Sequence, residues 1–236
     1  MKVLIVGGGG REHAIVWKIA QSPKVDKIYC APGNGGIAEL AECVDIAATD
    51  IENMVKFAKD NAIDLVMVAP DDPLVLGMVD AMEKEGIRAF GPRANAAIIE
   101  GSKAFSKELM KKYNIPTANY EVFTDSTSAI DYIKAQNTFP TVIKADGLAL
   151  GKGVIIAQNL EEAEQAVHEM IDDGKFGKSG SRVVIEEFLT GPEVSVLAFT
   201  DGKTVKPMVS AQDHKRAYDN DEGLNTGGMG TFSPSR

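Results

Sequence analysis

The residues best suited to chemistry lie in two stretches, TVIKADGLALGKGV at residues 141–154 and VVIEEFLTGPE at residues 183–193. The first is a β-prone run ending at Lys144, followed by a glycine-rich loop and a second β-prone run. Such a loop leaves backbone N–H groups bare, so it can cover a polyphosphate while Lys144 supplies a fixed positive charge. The pattern indicates binding of a nucleoside triphosphate without a Walker loop.

Charged residues end the predicted strands of both stretches. An ammonium group at the end of a buried strand needs an anionic partner, because desolvation otherwise penalises its charge. Glu186 and Glu187 are adjacent in a predicted strand, so only one of them can point into a given pocket. Glu193, just after the Gly191-Pro192 bend, could bind ribose hydroxyls. Lys152, in the glycine loop, is either a phosphate contact or a solvated side chain.

A run of four glycines, Gly7–Gly10, follows a predicted buried strand and opens a predicted helix. Glycine lets the backbone approach an anion there, and a helix N-terminus favours negative charge. The dinucleotide fingerprint G-x-G-x-x-G fails, because its last position falls on Glu12 or on His13. The run therefore predicts a phosphate or sugar-phosphate site rather than a nicotinamide site. His13 is either a substrate contact or a packed side chain.

A third candidate region lies near the end of the chain. The polar cluster QDHKR at residues 212–216 is followed by the glycine-rich segment NTGGMG at residues 225–230. Either stretch alone could be a solvated turn. Their succession favours a flexible binding loop.

Residues 1–100 are predicted to form an open parallel sheet with helices on its faces, because short strands and helices alternate with short connections. The predicted strands are Val3–Val6, Lys27–Ala31, Leu65–Val68 and Ile87–Phe90, and the predicted helices are Arg11–Gln21, Ile51–Lys59 and Pro73–Lys84.

The rest of the chain is predicted to hold three further segments. Residues 101–122 are a linking helix, Lys103 to about Tyr113, with its connection. Residues 123–190 are a small α/β domain, and residues 191–236 begin another domain with a hairpin of Glu193–Thr200 and Thr204–Val209. The elements predicted for the small domain are strands Thr141–Lys144, Val154–Ala157 and Arg182–Phe188, and helices that run from residue 126 to about Gln136 and from Leu160 to about Asp172.

Composition limits the classes of partner. The formal net charge is −9, which argues against a nucleic-acid or anionic-membrane partner, because both need a basic face. The only cysteines, Cys30 and Cys43, have no metal-site spacing and suit a reducing cytosol. No run of apolar residues approaches membrane-spanning length and no signal-peptide pattern is present, so we expect a cytoplasmic protein.

Taken in order, the motifs resemble those of the glycinamide ribonucleotide synthetases, a family of ATP-grasp ligases. The segments that carry the resemblance are GGGGREHA, APGN, GPRANAAIIEGSKAF, IPTANY, VIKADGLALGKGV, VIEEFLTGPEVS, AQDHKR and NTGGMGTFSP. The match runs from Met1 to Arg236 without large gaps, and AQDHKR with NTGGMG is its most specific part. The resemblance implies an ATP-grasp lid for residues 123–190 and the start of the central ATP-grasp domain for residues 191–236.

The reaction implied by the resemblance is an ADP-forming ligation in purine biosynthesis. ATP phosphorylates the carboxylate of glycine, and the amine of 5-phosphoribosylamine then displaces phosphate. The ATP contacts implied by the resemblance are Lys103, Lys107, Lys144, Glu186, Glu187, Phe188, Leu189, Glu193, Arg216 and Asn225. The substrate contacts implied are Gly10, Arg11, Glu12, Asp213 and Gly228.

Two departures from the family pattern bear on activity. Pro70-Asp71 stands where the family usually has Pro-Glu, which puts a sugar contact there in doubt. No residue matches the family's carboxylate and asparagine for Mg²⁺ (or Mn²⁺), so no metal ligand is assigned here and the ligands are expected beyond Arg236. Asp219, Asp221 and Glu222 are oxygen ligands in principle but lie elsewhere in the pattern.

We therefore expect weak or absent turnover by the 236 residues alone, and self-association or pairing with a C-terminal chain. The alternatives are a non-catalytic nucleotide-binding fragment and an ATP-grasp ligase for another carboxylate and amine. A nucleotide-dependent oxidoreductase is the least favoured, because the dinucleotide fingerprint fails.

Overall fold

The computed structural model describes residues 1–148 and 153–235. The chain divides into two compact units, which we call unit 1 (Met1–Glu187) and unit 2 (Phe188–Arg236). Lys152, for which the sequence leaves a phosphate contact and a solvated side chain as alternatives, lies outside the described residues.

Unit 1 begins with a five-stranded parallel sheet in the order β3-β2-β1-β4-β5. The apolar run of the first strand places that strand at the centre, where Leu4, Ile5 and Val6 are fully buried. The strands are β1 (Lys2–Gly7), β2 (Lys27–Pro32), β3 (Glu42–Cys43), β4 (Leu65–Val68) and β5 (Ala89–Phe90).

The helices of this region confirm the α/β class. They are α1 (Gly10–Ile19), α2 (Ile51–Asp60), α3 (Asp71–Val75), α4 (Met78–Lys84), α5 (Ala94–Gly101) and α6 (Lys103–Lys112). In the sheet, β2 lies on one side of β1, and β4 lies on the other side. The carboxyl ends of β1 and β4 therefore form the switch point at which open α/β sheets bind ligands.

Some predicted elements of this sheet are wrong in detail. The single helix predicted over Pro73–Lys84 is two helices, because Gly77 between them adopts a left-handed conformation with φ of 88°. The short edge strand β3 and the helix α5 were not predicted. Helix α5 has no local side-chain cap, and instead Asp80 Oδ2 accepts a hydrogen bond from Ala94 N at 2.8 Å. A cap supplied by another helix leaves no local sequence signal.

The second sheet of unit 1 has four antiparallel strands in the order β6-β9-β7-β8. Its strands are β6 (Tyr120–Phe123), β7 (Thr141–Ala145), β8 (Val154–Ala157) and β9 (Val183–Glu187), and its helices are α7 (Ser126–Gln136) and α8 (Leu160–Ile171). Ile143 and Ile185 pack with Val167 and Met170 in a core on the helical face. Strand β6 was not predicted, and it starts before the expected boundary at residue 123.

Unit 2 is built from two hairpins. Strands β10 (Ala198–Thr200) and β11 (Val205–Pro207) form the first, which is shorter than predicted, and a bridge joins Ser195 to Ala211. Strands β12 (Gln212–Tyr218) and β13 (Glu222–Phe232) form the second. The prediction of a flexible glycine-rich loop is wrong for this segment, because residues 222–232 pair as a strand with register irregularities, whereas the binding role stays a prediction.

Candidate nucleotide and phosphate sites

A buried carboxylate and two lysines form the centre of the first candidate site. Glu186 Oε2 lies 2.8 Å from Lys144 Nζ and 3.3 Å from Lys107 Nζ. In the ladder, Lys144 of β7 pairs with Val184 of β9 and Glu186 pairs with Val142, so both charged side chains share one face. Glu186 is only 6% exposed. The anionic partner expected for Lys144 is therefore present.

Lys107 has further oxygen partners around the same point. Its Nζ donates to Thr117 Oγ1 at 2.8 Å and to the Ala118 carbonyl at 3.3 Å, and it lies 5.5 Å from the centre of the Tyr120 ring. Its side chain is 10% exposed. These contacts hold a cation at a defined position on α6 beside the strand pair.

Lys103 completes the cluster from the first turn of α6. Its Nζ donates to the Gly147 carbonyl at 2.9 Å, and burial lowers the pKa of this half-buried lysine. A cavity of about 250 Å³ is lined by Ile99, Glu100, Lys103, Ser106, Lys107, Met110, Lys144 and Glu186. The structure thus brings together the three lysines predicted from sequence. We call this cavity the lysine pocket.

Glu187 points to the other face of β9, as strand alternation requires. Its carboxylate accepts hydrogen bonds from Asn119 N at 3.0 Å and Asn119 Nδ2 at 2.9 Å. The backbone bond from Asn119, followed by the side-chain bond, lowers the pKa of Glu187. The structure gives its side chain a role in joining β9 to the residue before β6, outside the lysine pocket.

A second carboxylate at the edge of the lysine pocket was missed by the sequence reasoning. Asp146 is buried, and its Oδ1 accepts from Ser102 Oγ at 3.0 Å and from Ala104 N at 2.7 Å. Its Oδ2 accepts from Arg182 Nε at 2.8 Å. The only available signal was an acidic residue placed directly after a buried strand.

The glycine run at the switch point forms a second candidate site. Glu12 is buried and its Oε2 accepts from Gly9 N at 2.6 Å, while the Gly8 carbonyl accepts from Asn34 Nδ2 at 2.9 Å. A Cβ on Gly8 would lie 2.6 Å from the Gly33 carbonyl oxygen, so this close approach needs glycine. These contacts fix the loop before any ligand arrives.

Predicted substrate contacts in this loop have different surroundings. Gly10 and Arg11 are exposed at the start of α1, where they can meet a solute. The Glu12 carboxylate is engaged by the loop itself. Asp71 is the first residue of α3, the helix that follows β4. The preceding residue, Pro70, packs against the glycine run, because a Cβ on Gly7 would lie only 2.9 Å from Pro70 Cγ. His13 packs against Gly36 instead of pointing into open space.

Unit 2 contains the remaining predicted contacts. Lys215 Nζ lies 2.5 Å from Glu193 Oε1 and 3.5 Å from Asp213 Oδ2. Arg216 donates to the Gly223 carbonyl at 2.6 Å. The remaining predicted contacts here are Phe188, Leu189 and Gly228, which are exposed, and Asn225, whose backbone pairs with Arg216 and whose side chain lies outside the described part.

The described side chains form no cluster that fits a magnesium site. Across residues 1–148 and 153–235, apart from the side chain of Asp221, which is not described, no three His, Cys, Asp or Glu side chains lie close enough together to hold a metal ion. Within the same ranges, no helix combines the length and the apolar character that crossing a bilayer requires.

Comparison with known proteins identifies the family. A family profile described as "Phosphoribosylglycinamide synthetase, N domain" matches residues 1–100, and one described as "Phosphoribosylglycinamide synthetase, ATP-grasp (A) domain" matches residues 101–236. The chain is 56% identical over 234 residues to a phosphoribosylamine–glycine ligase of Halalkalibacterium halodurans, covering 99% of this chain and 54% of that protein. It is 55% identical to the ligase of Haemophilus influenzae, covering 100% of this chain and 55% of that protein. The chain thus spans about half the length of the curated relatives it matches.

Solved structures agree with this assignment. The crystal structure of phosphoribosylamine–glycine ligase from Thermotoga maritima superposes with a TM-score of 0.84 at 33% identity, covering all of this chain and 56% of that one. The biotin carboxylase domain of 2-oxoglutarate carboxylase from Hydrogenobacter thermophilus has a TM-score of 0.75 at 18% identity over 94% of this chain and 51% of that one, which shows a shared fold. From the lysine pocket, the switch-point loop and these matches over its whole length, we conclude that the chain belongs to the phosphoribosylglycinamide synthetase family, with the fold of its N domain and ATP-grasp domain.

Proposed function

We propose that this chain supplies the nucleotide-binding and phosphoribosylamine-binding part of a phosphoribosylamine–glycine ligase. In that reaction ATP converts the glycine carboxylate to glycyl phosphate. The amine of 5-phosphoribosylamine then attacks the acyl carbon, phosphate leaves, and glycinamide ribonucleotide forms. The observation that carries the proposal is the convergence of Lys103, Lys107 and Lys144 on one pocket.

The lysine pocket is suited to a triphosphate because its cations are already held in place. Glu186 fixes Lys144 and Lys107, and the Gly147 carbonyl fixes Lys103. Cations fixed before binding lose little side-chain entropy when phosphate oxygens arrive, and they offset the charge that builds up in phosphoryl transfer. Divalent metal chemistry belongs to the family, but the described residues hold no metal site, so we route no step through Mg²⁺ or Mn²⁺.

The switch-point loop is suited to the phosphate of 5-phosphoribosylamine. Its backbone N–H groups and the N-terminus of α1 favour an anion, and exposed Arg11 adds a positive charge. Glu12 holds the loop through Gly9. We assign Gly10 and Arg11 to direct contact and Glu12 to holding the loop.

The remaining contacts are proposed from the family resemblance. The segment Glu186–Leu189 would read the adenine through backbone groups, and Glu193 would bind the ribose. Arg216 and Asn225 would contact the nucleotide, and Asp213 and Gly228 the substrates. Lys215 near Glu193 and Asp213 supports a polar site in unit 2.

Competitive binding tests this proposal. A fluorescent ATP analogue should bind the chain and be displaced by ATP and by inorganic tripolyphosphate. Ribose 5-phosphate should bind without displacing it, because its site lies at the switch point. A chain that binds no triphosphate would overturn the proposal.

A turnover assay tests the expected lack of turnover and the alternative of another ATP-grasp ligase. With ATP, Mg²⁺, glycine and phosphoribosylamine, we expect binding with weak or absent ADP release, as for a non-catalytic nucleotide-binding fragment. Release at the rate of a full-length relative would contradict this. Another carboxylate–amine pair that stimulates ADP release more than glycine and phosphoribosylamine would favour a different ATP-grasp ligase.

We also propose a partner for unit 2, namely a polypeptide equivalent to the remaining length of the relatives. Seven apolar side chains of its first hairpin region are each at least half exposed: Val194, Val196, Leu197, Phe199, Val205, Met208 and Val209. An apolar surface of this kind marks an interaction site or causes self-association. Co-expression with the C-terminal part of the Halalkalibacterium halodurans ligase should give a complex. Recovery of the two as separate monomers would exclude the pairing.

Free Cys30 and Cys43 support our proposal of a cytoplasmic location.

A further inference from the structure

Asp146 links three parts of unit 1 at the edge of the lysine pocket. Its side chain binds Ser102 and Ala104 at the start of α6 and Arg182 just before β9. Its backbone N–H donates to the carbonyls of Ser179 and Arg182, both at 3.0 Å, and its carbonyl accepts from Lys103 N at 3.0 Å. The side chain is 10% exposed, against 43% for Arg182.

These contacts exceed what the helix needs. Ser102 already caps α6 by accepting a hydrogen bond from Phe105 N at 3.1 Å. Without the Asp146 carboxylate, α6 would therefore keep its N-cap and the backbone bond from Lys103 N, but would lose the side-chain bonds from Ser102 and Ala104 that join it to the end of β7. The charge-assisted bonds from Arg182 hold the Asp146 carboxylate in the position that makes this connection.

The position of this link decides which groups it aligns. Lys103 and Lys107 lie on α6, whereas Lys144 lies on β7, two residues before Asp146. The distance between the two sources of positive charge therefore depends on how α6 is fixed against β7. Misplacing a binding group by about 1 Å is enough to lose much of its effect.

We propose that Asp146, held by Arg182, is a positioning residue that sets the spacing of the lysines for a polyphosphate chain. It acts through the lysines and does not itself touch the nucleotide. The inference rests on the proposed function, because it assumes that the lysine pocket binds a triphosphate. It predicts that loss of the link weakens binding of the phosphates and leaves binding of the nucleoside unchanged.

The test compares ligands with and without phosphates. Asp146→Asn, Arg182→Met and Arg182→Lys are titrated with ATP, tripolyphosphate and adenosine, and the melting temperature of each variant is measured. Lys134→Met is the matched control, because it breaks the 2.8 Å ion pair with Glu164, which joins α7 to α8. We expect Asp146→Asn and Arg182→Met to weaken ATP and tripolyphosphate binding about tenfold, which corresponds to about 1.4 kcal/mol. Adenosine binding and the control should be unchanged, and Arg182→Lys should recover part of the loss.

The outcomes distinguish this inference from the proposed function. Equal losses for adenosine and ATP, or unchanged binding of all ligands, would overturn the positioning role alone. Failure of the unmodified chain to bind ATP or tripolyphosphate would overturn the proposed function and this inference together. If Asp146→Asn does not fold, the two Arg182 variants decide the matter.

Discussion

Unit 1 and unit 2 differ in how many apolar side chains each of them buries in a core of its own. Unit 1 has buried clusters on both faces of its parallel sheet and on the helical face of its antiparallel sheet. Among the described residues of unit 2, none is buried, and many of its apolar side chains are exposed. Isolated two-stranded hairpins are marginally stable in water, so we expect unit 2 to be less stable than unit 1. The difference indicates that a preformed binding site is to be expected in unit 1.

The lysines of the two units show the same contrast. In unit 1, burial lowers the pKa of Lys103, and Lys107 and Lys144 share a buried carboxylate. In unit 2, the hydrogen bond with Glu193 raises the pKa of Lys215. Partial desolvation makes the cations of unit 1 stronger phosphate partners, because water competes less for them. The exposed pair of unit 2 is screened by solvent and salt.

The largest effect should come from matched truncations in the two units. Ile143→Ala removes a fully buried side chain, so we expect the free energy of unfolding to fall by about 2–5 kcal/mol. Val196→Ala, at a position that is 64% exposed, should change it by no more than about 0.5 kcal/mol. Urea denaturation followed by circular dichroism measures both. Similar losses would mean that unit 2 has a core of its own.

The second effect concerns the two adjacent glutamates. Glu186→Gln leaves Lys107 and Lys144 without their shared negative charge, so we expect a loss of about 1–3 kcal/mol in unfolding free energy. Glu187→Gln keeps the same size at an exposed position at the end of β9 and should cost clearly less. Thermal denaturation of both variants at neutral pH provides the check. A greater loss for Glu187→Gln would contradict the assignment of Glu186 to the pocket.

Some features of the fold and of the candidate site could be predicted from the sequence, and others could not. The apolar strands predicted both sheets apart from the edge strands β3 and β6, because local patterns determine which side chains share a face. Lys144 was predicted from its place at the end of a strand, whereas Lys103 and Lys107 were named from the family resemblance alone. The break at Gly77 was missed because it depends on the left-handed conformation of that residue. The cap from Asp80 to Ala94 was missed because it depends on a contact between elements. Asp146 was missed for the same reason, since its partners are 36 and 44 residues away along the chain.

A smaller effect is the pH dependence of nucleotide binding. The pKa of Lys103 lies below its usual value of 10.5, mainly because of burial, and the charged groups facing it are Asp146, Lys144, Glu100 and Glu186. A bound phosphate favours the charged lysine, so ATP affinity should fall as pH rises from the lowered pKa toward 10.5.

The same pKa shift makes the free energy of unfolding rise with pH over that interval, because the folded state binds fewer protons than the unfolded state. The control is Lys103→Arg, which keeps its positive charge over this pH range, so its ATP affinity should stay constant. If the ATP affinity of this variant falls as much as that of the unmodified chain, Lys103 is not the cause.

The smallest effect should come from the ion pair of unit 2. Lys215→Met removes the contact with Glu193 on an exposed surface, and such pairs contribute at most about 1 kcal/mol. We expect a small change in melting temperature that disappears at high salt. A large fall in melting temperature that does not depend on salt would contradict the prediction, because it would mean that this ion pair is shielded from solvent like those of the lysine pocket.

We propose above all that unit 1 holds a triphosphate in a preformed lysine pocket. Calorimetric titration with a non-hydrolysable ATP analogue tests it on the unmodified chain, on Lys144→Met and on Lys134→Met. We predict binding of one nucleotide, a loss of about tenfold or more in affinity for Lys144→Met, and no change for Lys134→Met, whose side chain pairs with Glu164 away from the pocket. Equal affinity of all three proteins, or no binding by any of them, would contradict the claim.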